Sequence, residues 1–523
     1  MRVIFCYNLI MAYSLLIKNG TLIDGSGREP YPADVGIFGN KITAVGNLTG
    51  EDADEIIDAS NLYVTPGFID LTNHSDVYGT IFAVPEQTSM LMQGVTTALL
   101  GNCGESLAPI AGKESLDDLE RWTNVPFNVN WNSVGEYYDQ LDNIGIGLNL
   151  MTLVGQETLR RAAPVHEERM LLLERAMAEG AWGMSSNFSL TPRDGKEEFE
   201  ILDFLKIIKN YDGLYKIHLR DEGKNFLPSI SALINLVRAS GVRAAISHFK
   251  AVGRGAWKEF DDALRIIRGA RSDGVEIWFD VFPYLRTGSM LLSLLPDWSR
   301  NGTGSEILER LKNAAEAAKI IDDLKKMTLH PEKILIASAF YETSFIGKTL
   351  EEAAERMEIS PEEAIVAILK SNKLNVNIFG RTISGKNMLA SLKEEAAMLA
   401  TDGAGYDIDF SKYGGLAHPR SFGAFPRFFG TLSKKAGVSL GQAVFKMTYL
   451  PATLLKFSDR GLIKQGYEAD IAVFHPEEFR DSGTYKNPYC YSSGLRFLII
   501  GGKAAVSEGT VISRHGKVIR KKT

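Results

Sequence analysis

The residues best suited to chemistry in this sequence stand directly after short apolar stretches. They are of the kinds that bind metals or transfer protons, and they comprise His74, Cys103, His218, His248 and Asp402. The chain has 8 histidines, and three of them occupy such positions. Thiolate sulfur and imidazole nitrogen suit Zn²⁺, and a site with three protein ligands leaves a position open for water or substrate. The pattern therefore predicts a zinc site that serves hydrolysis.

A carboxylate completes the predicted chemistry. Zinc-bound water has its pKa lowered to about 7, which provides a nucleophile at neutral pH. A carboxylate without a tight metal bond can accept the proton and return it to a leaving amine, and Asp402 is the candidate. Each residue alone also has a simpler interpretation, since free cysteines are often buried and inert. Five such residues after five different apolar stretches favour a site.

The apolar stretches also predict the fold. They alternate with amphipathic helical patterns through the middle of the chain, which is typical of βα units and a parallel sheet. The predicted strands are YVTPGFID, TTALLGN, GLNLMTLVG, GAWGMSS, LYKIHLR, RAAISHFK, VEIWFDVF and AAMLATDG. Eight strands of this kind predict an α/β fold with a (β/α)8 TIM-like barrel. In such a barrel the carboxyl ends of the strands meet at one mouth, where catalysis takes place.

Both ends of the chain differ from the middle. They contain short strand patterns separated by turn dipeptides such as Asn-Gly. We therefore predict a small β-sandwich domain built from residues 1–64 and 455–523, and a metal-dependent barrel at 65–454. The interval after the seventh strand is oversized and rich in helical patterns, so a helical insertion at about 290–345 is expected beside the barrel mouth.

Composition limits the partners and the compartment. The chain of 523 residues is 45% hydrophobic and 23% charged, with a formal net charge of −6. Neither nucleic acid nor a membrane is expected as a partner, and a homo-oligomer remains open. Three cysteines are too few for a disulfide framework, which favours the cytoplasm. The apolar N terminus lacks a clear signal-peptide cleavage site, and β structure is expected from about Tyr13.

Longer motifs extend over most of the chain. They include NGTLIDGSG, VTPGFIDLTNHSD, GVTTALLGNCGESLAP, IHLRDEG, ISHFKAVG, DVFPYLRTGS, HPRSFGAFPR, NPYCYSSG and GLIKQGYEADIAVF. Together they resemble the amidohydrolase superfamily, and within it the N-acyl-D-amino acid deacylase (D-aminoacylase) family. The resemblance implies zinc-dependent cleavage of the amide bond of a small N-acyl-D-amino acid, giving a carboxylate and a free D-amino acid.

The resemblance also implies roles for single residues. Cys103, His218 and His248 would hold one tightly bound zinc, and Asp402 would be the general acid and base. A planar guanidinium is suited to bidentate contact with a carboxylate. The group that grips the substrate carboxylate is accordingly implied to be Arg420, Tyr284 and Ser289.

Two positions depart from the family pattern. Members usually show His-x-His after GFID, whereas this chain has Thr72 and then His74. A threonine hydroxyl is a poor zinc ligand, so we predict one tightly bound metal, with His74 a candidate ligand only of a weak second position. Glu105 stands where an apolar or aromatic residue is expected, and is either a pocket charge or a solvated carboxylate. Lys250 is two residues after His248, so strand alternation puts both side chains on the same face. We assign Lys250 no catalytic role.

Two alternatives stay open at the level of sequence. The first is opening of a cyclic amide, as in hydantoinases and dihydroorotases, which usually depends on two metals bridged by a modified lysine. The predicted fourth strand, GAWGMSS, offers no lysine. The second is a non-catalytic barrel, against which the intact set of predicted zinc ligands and Asp402 argues.

Overall fold

The computed structural model describes residues 13–111, 125, 127–188 and 197–522, apart from the side chains of 197–199 and 413. The apolar segment at residues 1–12 lies outside these ranges. The strands of the described residues are β1 Leu15–Lys18, β2 Thr21–Leu22, β3 Tyr31–Pro32, β4 Asp34–Phe38, β5 Lys41–Gly46, β6 Ile56–Asp58, β7 Tyr63–Pro66, β8 Phe68–Asp70, β9 Val95–Leu100, β10 Asn149–Thr152, β11 Val154–Gly155, β12 Gly183–Asn187, β13 Leu214–His218, β14 Arg243–Ile246, β15 Ile277–Val281, β16 Thr287–Met290, β17 Ile334–Ala339, β18 Val376–Gly380, β19 Ala397–Leu399, β20 Ile471–Phe474, β21 Leu495–Ile500, β22 Lys503–Ser507 and β23 Thr510–Val511.

Helices connect most of these strands. They are α1 Thr80–Ala83, α2 Thr88–Leu91, α3 Val134–Ile144, α4 Gln156–Ala162, α5 His166–Ala178, α6 Glu197–Asn210, α7 Phe226–Ser240, α8 Gly253–Trp257, α9 Phe260–Ser272, α10 Gly304–Lys312, α11 Ala314–Lys325, α12 Leu350–Met357, α13 Pro361–Ser371, α14 Gly385–Lys393, α15 Arg420–Arg427, α16 Ser433–Ala436, α17 Leu440–Met447 and α18 Tyr449–Leu454. Short 3₁₀ segments lie at Leu291–Leu294, Asp297–Arg300, Pro331–Lys333 and Ile408–Tyr413, and a π segment at Phe428–Leu432. None of these helices has both the length and the apolar composition needed to cross a membrane.

Parallel strands form the centre of the α/β fold. One sheet has the order β10-β9-β8, and a second has the order β11-β12-β13-β14-β15-β19. Only Leu153 separates β10 from β11, and a parallel bridge between Asn73 and Gly403 joins the segments that follow β8 and β19. The series thus contains all eight predicted strands in chain order, the third of them split into β10 and β11. Because helices cover parallel strands, these strands are largely buried, as the fully buried β9 illustrates.

The first predicted strand is two strands, which corrects the sequence prediction. β7 pairs antiparallel with β20, whereas β8 pairs parallel with β9. The break falls at Gly67, whose N–H donates to the carbonyl of Asp470, while the next N–H donates to the carbonyl of Gly94. A side chain at position 67 would overlap Thr96. Glycine therefore permits the close approach at which the backbone changes partners.

Strands from both ends of the chain pair with one another. A seven-stranded sheet has the order β23-β22-β21-β20-β7-β2-β3, and a four-stranded sheet has the order β5-β4-β1-β6. One hydrophobic cluster joins residues of both sheets, among them Leu15, Val64 and Val473. The predicted domain boundaries remain a prediction, but the mixing of the two chain ends agrees with the reasoning behind them.

The long interval after β15 contains its own small sheet. β16, β18 and β17 pair antiparallel, and α10 to α13 pack with them around a separate hydrophobic cluster. This cluster extends from Leu291 to Ile378. The folded insertion therefore contains strands as well as helices. It extends beyond residue 345, because β18 is the central strand of its sheet.

Candidate metal centre

Three predicted ligands come together at the carboxyl ends of strands β9, β13 and β14. The ligand atoms of Cys103, His218 and His248 all lie within 4.8 Å of one another. The Cys103 Sγ is 3.3 Å from Nε2 of His248, and the two imidazole rings meet edge to face with centroids 4.6 Å apart. One sulfur and two imidazole nitrogens at this spacing fit a zinc ion with an open coordination position.

The backbone at this site is held in an unusual conformation. Cys103, His248 and Asp402 have φ angles of 54°, 41° and 50°. Positive φ is uncommon for residues with a Cβ and costs on the order of 1–3 kcal/mol each, so it persists where the surrounding structure enforces it. Its recurrence at three predicted site residues on three different strand ends is typical of a functional site.

The Cys103 thiol is prepared for metal binding. Burial alone would raise its pKa, but the charge of His248 and hydrogen bonds from His218, His248 and His74 bring the pKa of Cys103 well below its ordinary value. The thiolate is the form that ligates metals. The local environment therefore favours the reactive form of this cysteine.

The same cluster attracts positive charge. Burial would lower the pKa of His74, but hydrogen bonds with Asp402 and Cys103 raise it to about 10. Burial and Lys250 would lower the pKa of His248, but Asp402 and Cys103 raise it to about 9. A pocket that stabilises cationic imidazole in this way has the electrostatics of a cation site.

Asp402 lies between a histidine and an arginine. Its Oδ1 is 3.2 Å from Nε2 of His74, and its Oδ2 is 2.5 Å from Nη1 of Arg420. Burial would raise the pKa of Asp402, but the Arg420 guanidinium and the nearby histidines hold it well below its usual range. The ring of His74 also stacks on Tyr78. These contacts keep the Asp402 carboxylate ionised.

A cavity opens beside Asp402 and Arg420. Its wall includes Phe379, Tyr406, Leu416 and Tyr489, besides Tyr78, His418 and backbone of several glycines. The Arg420 guanidinium lies 4.7 Å above the ring of Phe282, and its buried Nε has no hydrogen-bond partner among the described residues. An arginine with a free donor at the edge of a small apolar cavity is suited to an anionic group of a small molecule.

Glu222 and Lys250 support His248, and Glu222 was not among the predicted site residues. Nδ1 of His248 is 2.8 Å from Nζ of Lys250 and 3.4 Å from Oε1 of Glu222. Lys250 and Glu222 form an ion pair of 2.6 Å. Here Nδ1 accepts from the Lys250 ammonium, whereas a metal on Nε2 would put the ring proton on Nδ1. The ammonium would then have to move aside, and the Glu222 carboxylate is the group that could accept the proton. The position of Glu222 in IHLRDEG, just after His218, was the available sequence signal.

The hydroxyl of Thr72 is engaged by two buried charged side chains. Its hydroxyl donates to Oδ2 of Asp280 at 2.7 Å and accepts a hydrogen bond from Nζ of Lys216. Lys216 and Asp280 were also not predicted. Alternation along β13 puts Lys216 on the same face as His218, which is the signal that was available.

The two other residues implied to grip the substrate lie near the cavity but make different contacts. The hydroxyl of Tyr284 is 3.3 Å from Oδ2 of Asp481 and 3.3 Å from the carbonyl oxygen of Pro419. Ser289 lies on β16 beside Gly288, which contributes to the cavity wall. The roles of Tyr284 and Ser289 stay predictions.

Glu105 does not contribute a free pocket charge. Its carboxylate forms an ion pair with Arg161, with one oxygen 3.1 Å from Nη1 and the other in contact with Nη2. Arg161 lies in α4. The departure from the family pattern at position 105 is therefore compensated by an arginine close by.

Comparison with known proteins identifies relatives over the whole chain. No protein-family model matches. The D-aminoacylase of Alcaligenes xylosoxydans xylosoxydans is 29% identical over 532 residues, which cover 97% of this chain and 97% of the relative. The N-acyl-D-aspartate deacylase of the same organism is 27% identical over 517 residues, covering 96% and 94%. The N-acyl-D-glutamate deacylase from Bordetella bronchiseptica, solved with zinc and a phosphonate mimic of the tetrahedral intermediate, superposes with a TM-score of 0.80 at 25% identity, covering 97% of this chain and 100% of that one.

Proposed function

We propose that the chain, which is similar over 97% of its length to the D-aminoacylase of Alcaligenes xylosoxydans xylosoxydans, is a member of the N-acyl-D-amino acid deacylase (D-aminoacylase) family of the amidohydrolase superfamily and a zinc-dependent hydrolase of N-acyl-D-amino acids. It cleaves the amide bond to give a carboxylate and a free D-amino acid. The observation that carries the proposal is the cluster of Cys103, His218 and His248 next to the cavity that Asp402 and Arg420 line.

The fold proposed for this function is a (β/α)8 barrel with two additions. The bridge from Asn73 to Gly403 supports closure of the parallel series. The sheets formed by both chain ends support a small β domain at 1–64 and 455–523, with the barrel at 65–454. The insertion after β15 adds β16, whose Gly288 reaches the cavity wall. The low number of cysteines supports a cytoplasmic location.

In the proposed centre, Cys103, His218 and His248 hold a single zinc ion. When bound, zinc polarises the acyl oxygen and lowers the pKa of water. His74 contacts Asp402 and Cys103, so we assign it to hydrogen bonding around the reacting groups. The hydroxyl of Thr72 is taken up by Asp280 and Lys216, which argues against a second tightly held ion.

Asp402 moves the proton in the proposed reaction. Its carboxylate takes a proton from the attacking water and delivers it to the amine that leaves. The pairing with Arg420 keeps Asp402 ionised at the start. A substrate α-carboxylate competes for the same guanidinium, and its arrival weakens the hold on Asp402. The pKa of Asp402 then rises toward the range in which it can carry the proton between the two steps.

Arg420 orients the substrate. Arg420 lines the cavity, and its guanidinium lies over the ring of Phe282 with a buried Nε that has no hydrogen-bond partner among the described residues. A carboxylate bound there sets the acyl group toward Asp402 and the ligand cluster, so that orientation supplies part of the rate. Aromatic and aliphatic groups in the cavity wall, including Phe379 and Leu416, exclude water around the scissile bond.

A substrate screen with metal analysis tests the proposal. Purified protein is assayed on N-acetyl-D-amino acids, their L enantiomers and hydantoins, and its zinc content is measured on the same preparation. Hydrolysis of the D compounds, with about one zinc per chain, is the expected result. Preferential opening of hydantoins would move the protein to the cyclic-amide class, and a zinc-free, inactive preparation that zinc does not activate would refute the enzymatic proposal.

A further inference from the structure

The strongest unassigned feature is a buried ion pair beside the candidate metal centre. Nζ of Lys216 lies 2.7 Å from Oδ2 of Asp280, and both side chains are 0% exposed. The lysine also donates to the carbonyl oxygen of Leu71 at 2.6 Å and to the hydroxyl of Thr72. We propose that this pair makes the centre mononuclear: Lys216 and Asp280 hold Thr72 out of the metal cluster and occupy the space that a ligand at position 72 would need. The inference rests on the proposed zinc function.

The hydrogen bonds of Thr72 explain why it cannot serve a metal. Its hydroxyl gives its proton to Asp280 and accepts one from Lys216. Both interactions involve charged groups, which makes them stronger than neutral hydrogen bonds. To ligate a cation, the hydroxyl would have to leave two charged, fully buried groups without this partner, and such desolvated groups are costly to leave unsatisfied.

A fixed positive charge adds to this geometry. The ammonium of Lys216 contacts the Thr72 hydroxyl directly, so any group at position 72 that approached the cluster would bring a metal ion near an ammonium. Two cations separated by low-dielectric protein repel each other strongly. A histidine placed at position 72 would also compete with Lys216 for the space next to Asp280. Substitution of Thr72 alone is therefore not expected to create a second metal-binding position.

The pair also reaches the predicted tight site. Oδ1 of Asp280 accepts a hydrogen bond of 2.7 Å from the backbone N–H of His248. One carboxylate thus joins Thr72, Lys216 and the backbone of a predicted zinc ligand. Asp280 is therefore a positioning residue for His248. The exclusion of a second metal ion is coupled, through Asp280, to the geometry of the predicted zinc site.

Zinc stoichiometry in three proteins tests the proposal. Each is stripped with a chelator, titrated with zinc by calorimetry and analysed for bound metal by mass spectrometry. We expect one zinc per chain for the wild type and for Thr72→His, and two for Thr72→His/Lys216→Ser, in which the imidazole is present and the ammonium is gone. Two zinc ions in the wild type or in Thr72→His, or only one in a folded double variant, would overturn the inference.

A triple variant covers the case in which the double variant does not fold. Lys216→Met/Asp280→Asn removes both charges and keeps an acceptor for the His248 N–H, and it is combined with Thr72→His. Cobalt absorption spectra then count the occupied positions: a second equivalent that adds a new d–d band supports the inference, and its absence contradicts it. If neither combination folds, Thr72→His alone decides, by binding one ion or two.

Hydrolysis measured on the same samples separates the two proposals. A wild type that binds one zinc and cleaves no N-acyl-D-amino acid would remove the proposed function and leave the stoichiometry standing. An active wild type that binds two zinc ions tightly would support the proposed function and refute the inference of a mononuclear centre.

Discussion

Glu222 should control zinc affinity although it is not a ligand. Its Oε1 is the acceptor available to the Nδ1 proton of His248, at 3.4 Å. Burial would raise the pKa of Glu222, but Lys250, His218 and His248 lower it to about 2, so the carboxylate interacts strongly with the positive charge around it. Removing the charge while keeping the shape, with Glu222→Gln, leaves a weaker acceptor and a less basic imidazole.

The expected magnitude follows from the single hydrogen bond that is weakened. Loss of a carboxylate that orients a metal-binding histidine typically costs 10- to 100-fold in metal affinity, or about 1.4–2.7 kcal/mol. The long distance of 3.4 Å between Glu222 and His248, against 2.6 Å between Glu222 and Lys250, puts the expected effect at the lower end, roughly 10-fold. The assay is competition for zinc against a chromophoric chelator at neutral pH.

Two further variants make the result interpretable. Lys250→Met removes an ammonium that competes for Glu222 and repels a metal at His248, so zinc affinity should be equal to or higher than that of the wild type. Glu200→Gln is the matched control, because Glu200 is also a partly buried glutamate, but its partners are Arg160 and Arg169. An unchanged affinity in folded Glu222→Gln, or a weaker one in Lys250→Met, would show that Glu222 serves only as a counterion.

Three other outcomes are expected. Asp402→Asn should retain zinc and lose about 10²- to 10⁴-fold in kcat, because the proton carrier is gone; activity close to wild type would refute its role. Cys103→Ala should lose both bound zinc and hydrolysis, measured together on one preparation. Burial lowers the pKa of Lys446 to about 8, so the folded state binds fewer protons than the unfolded state between pH 8 and about 10.5. The free energy of unfolding, relative to that of Lys446→Met, should therefore rise by about 3 kcal/mol between about pH 7 and pH 11. Urea unfolding of both proteins measures it, and a difference independent of pH would contradict this.

The strand-end residues could be predicted because they depend on local pattern. An apolar run followed by His218 or Cys103 is visible in the sequence, and parallel strands bring such ends together. The break at Gly67 was less visible, since YVTPGFID is continuous in hydrophobicity. It arises because β7 pairs with a strand from the other end of the chain, and no local pattern carries that information.

The partners within the buried polar network could not be predicted for a related reason, although the alternation of Lys216 with His218 was an available signal. Lys216 and Asp280 lie in two different strands, β13 and β15, and only the packed interior of the fold brings their charged atoms within 2.7 Å. A lysine in such a strand is expected to point outward unless it has a partner. Glu222 was nearer to detection because it follows His218 closely, but its contact with His248 crosses from one strand end to another.

The pairing of β7 with β20 has a consequence for synthesis of the protein. Ile471 pairs with Pro66, about 400 residues earlier in the chain. While the chain is being translated, the edge of β7 stays open until almost all of it has left the ribosome. An open strand edge is a template for pairing with other chains. The nascent protein therefore carries an open strand edge through most of its translation, directly before β8, the first strand of the parallel series.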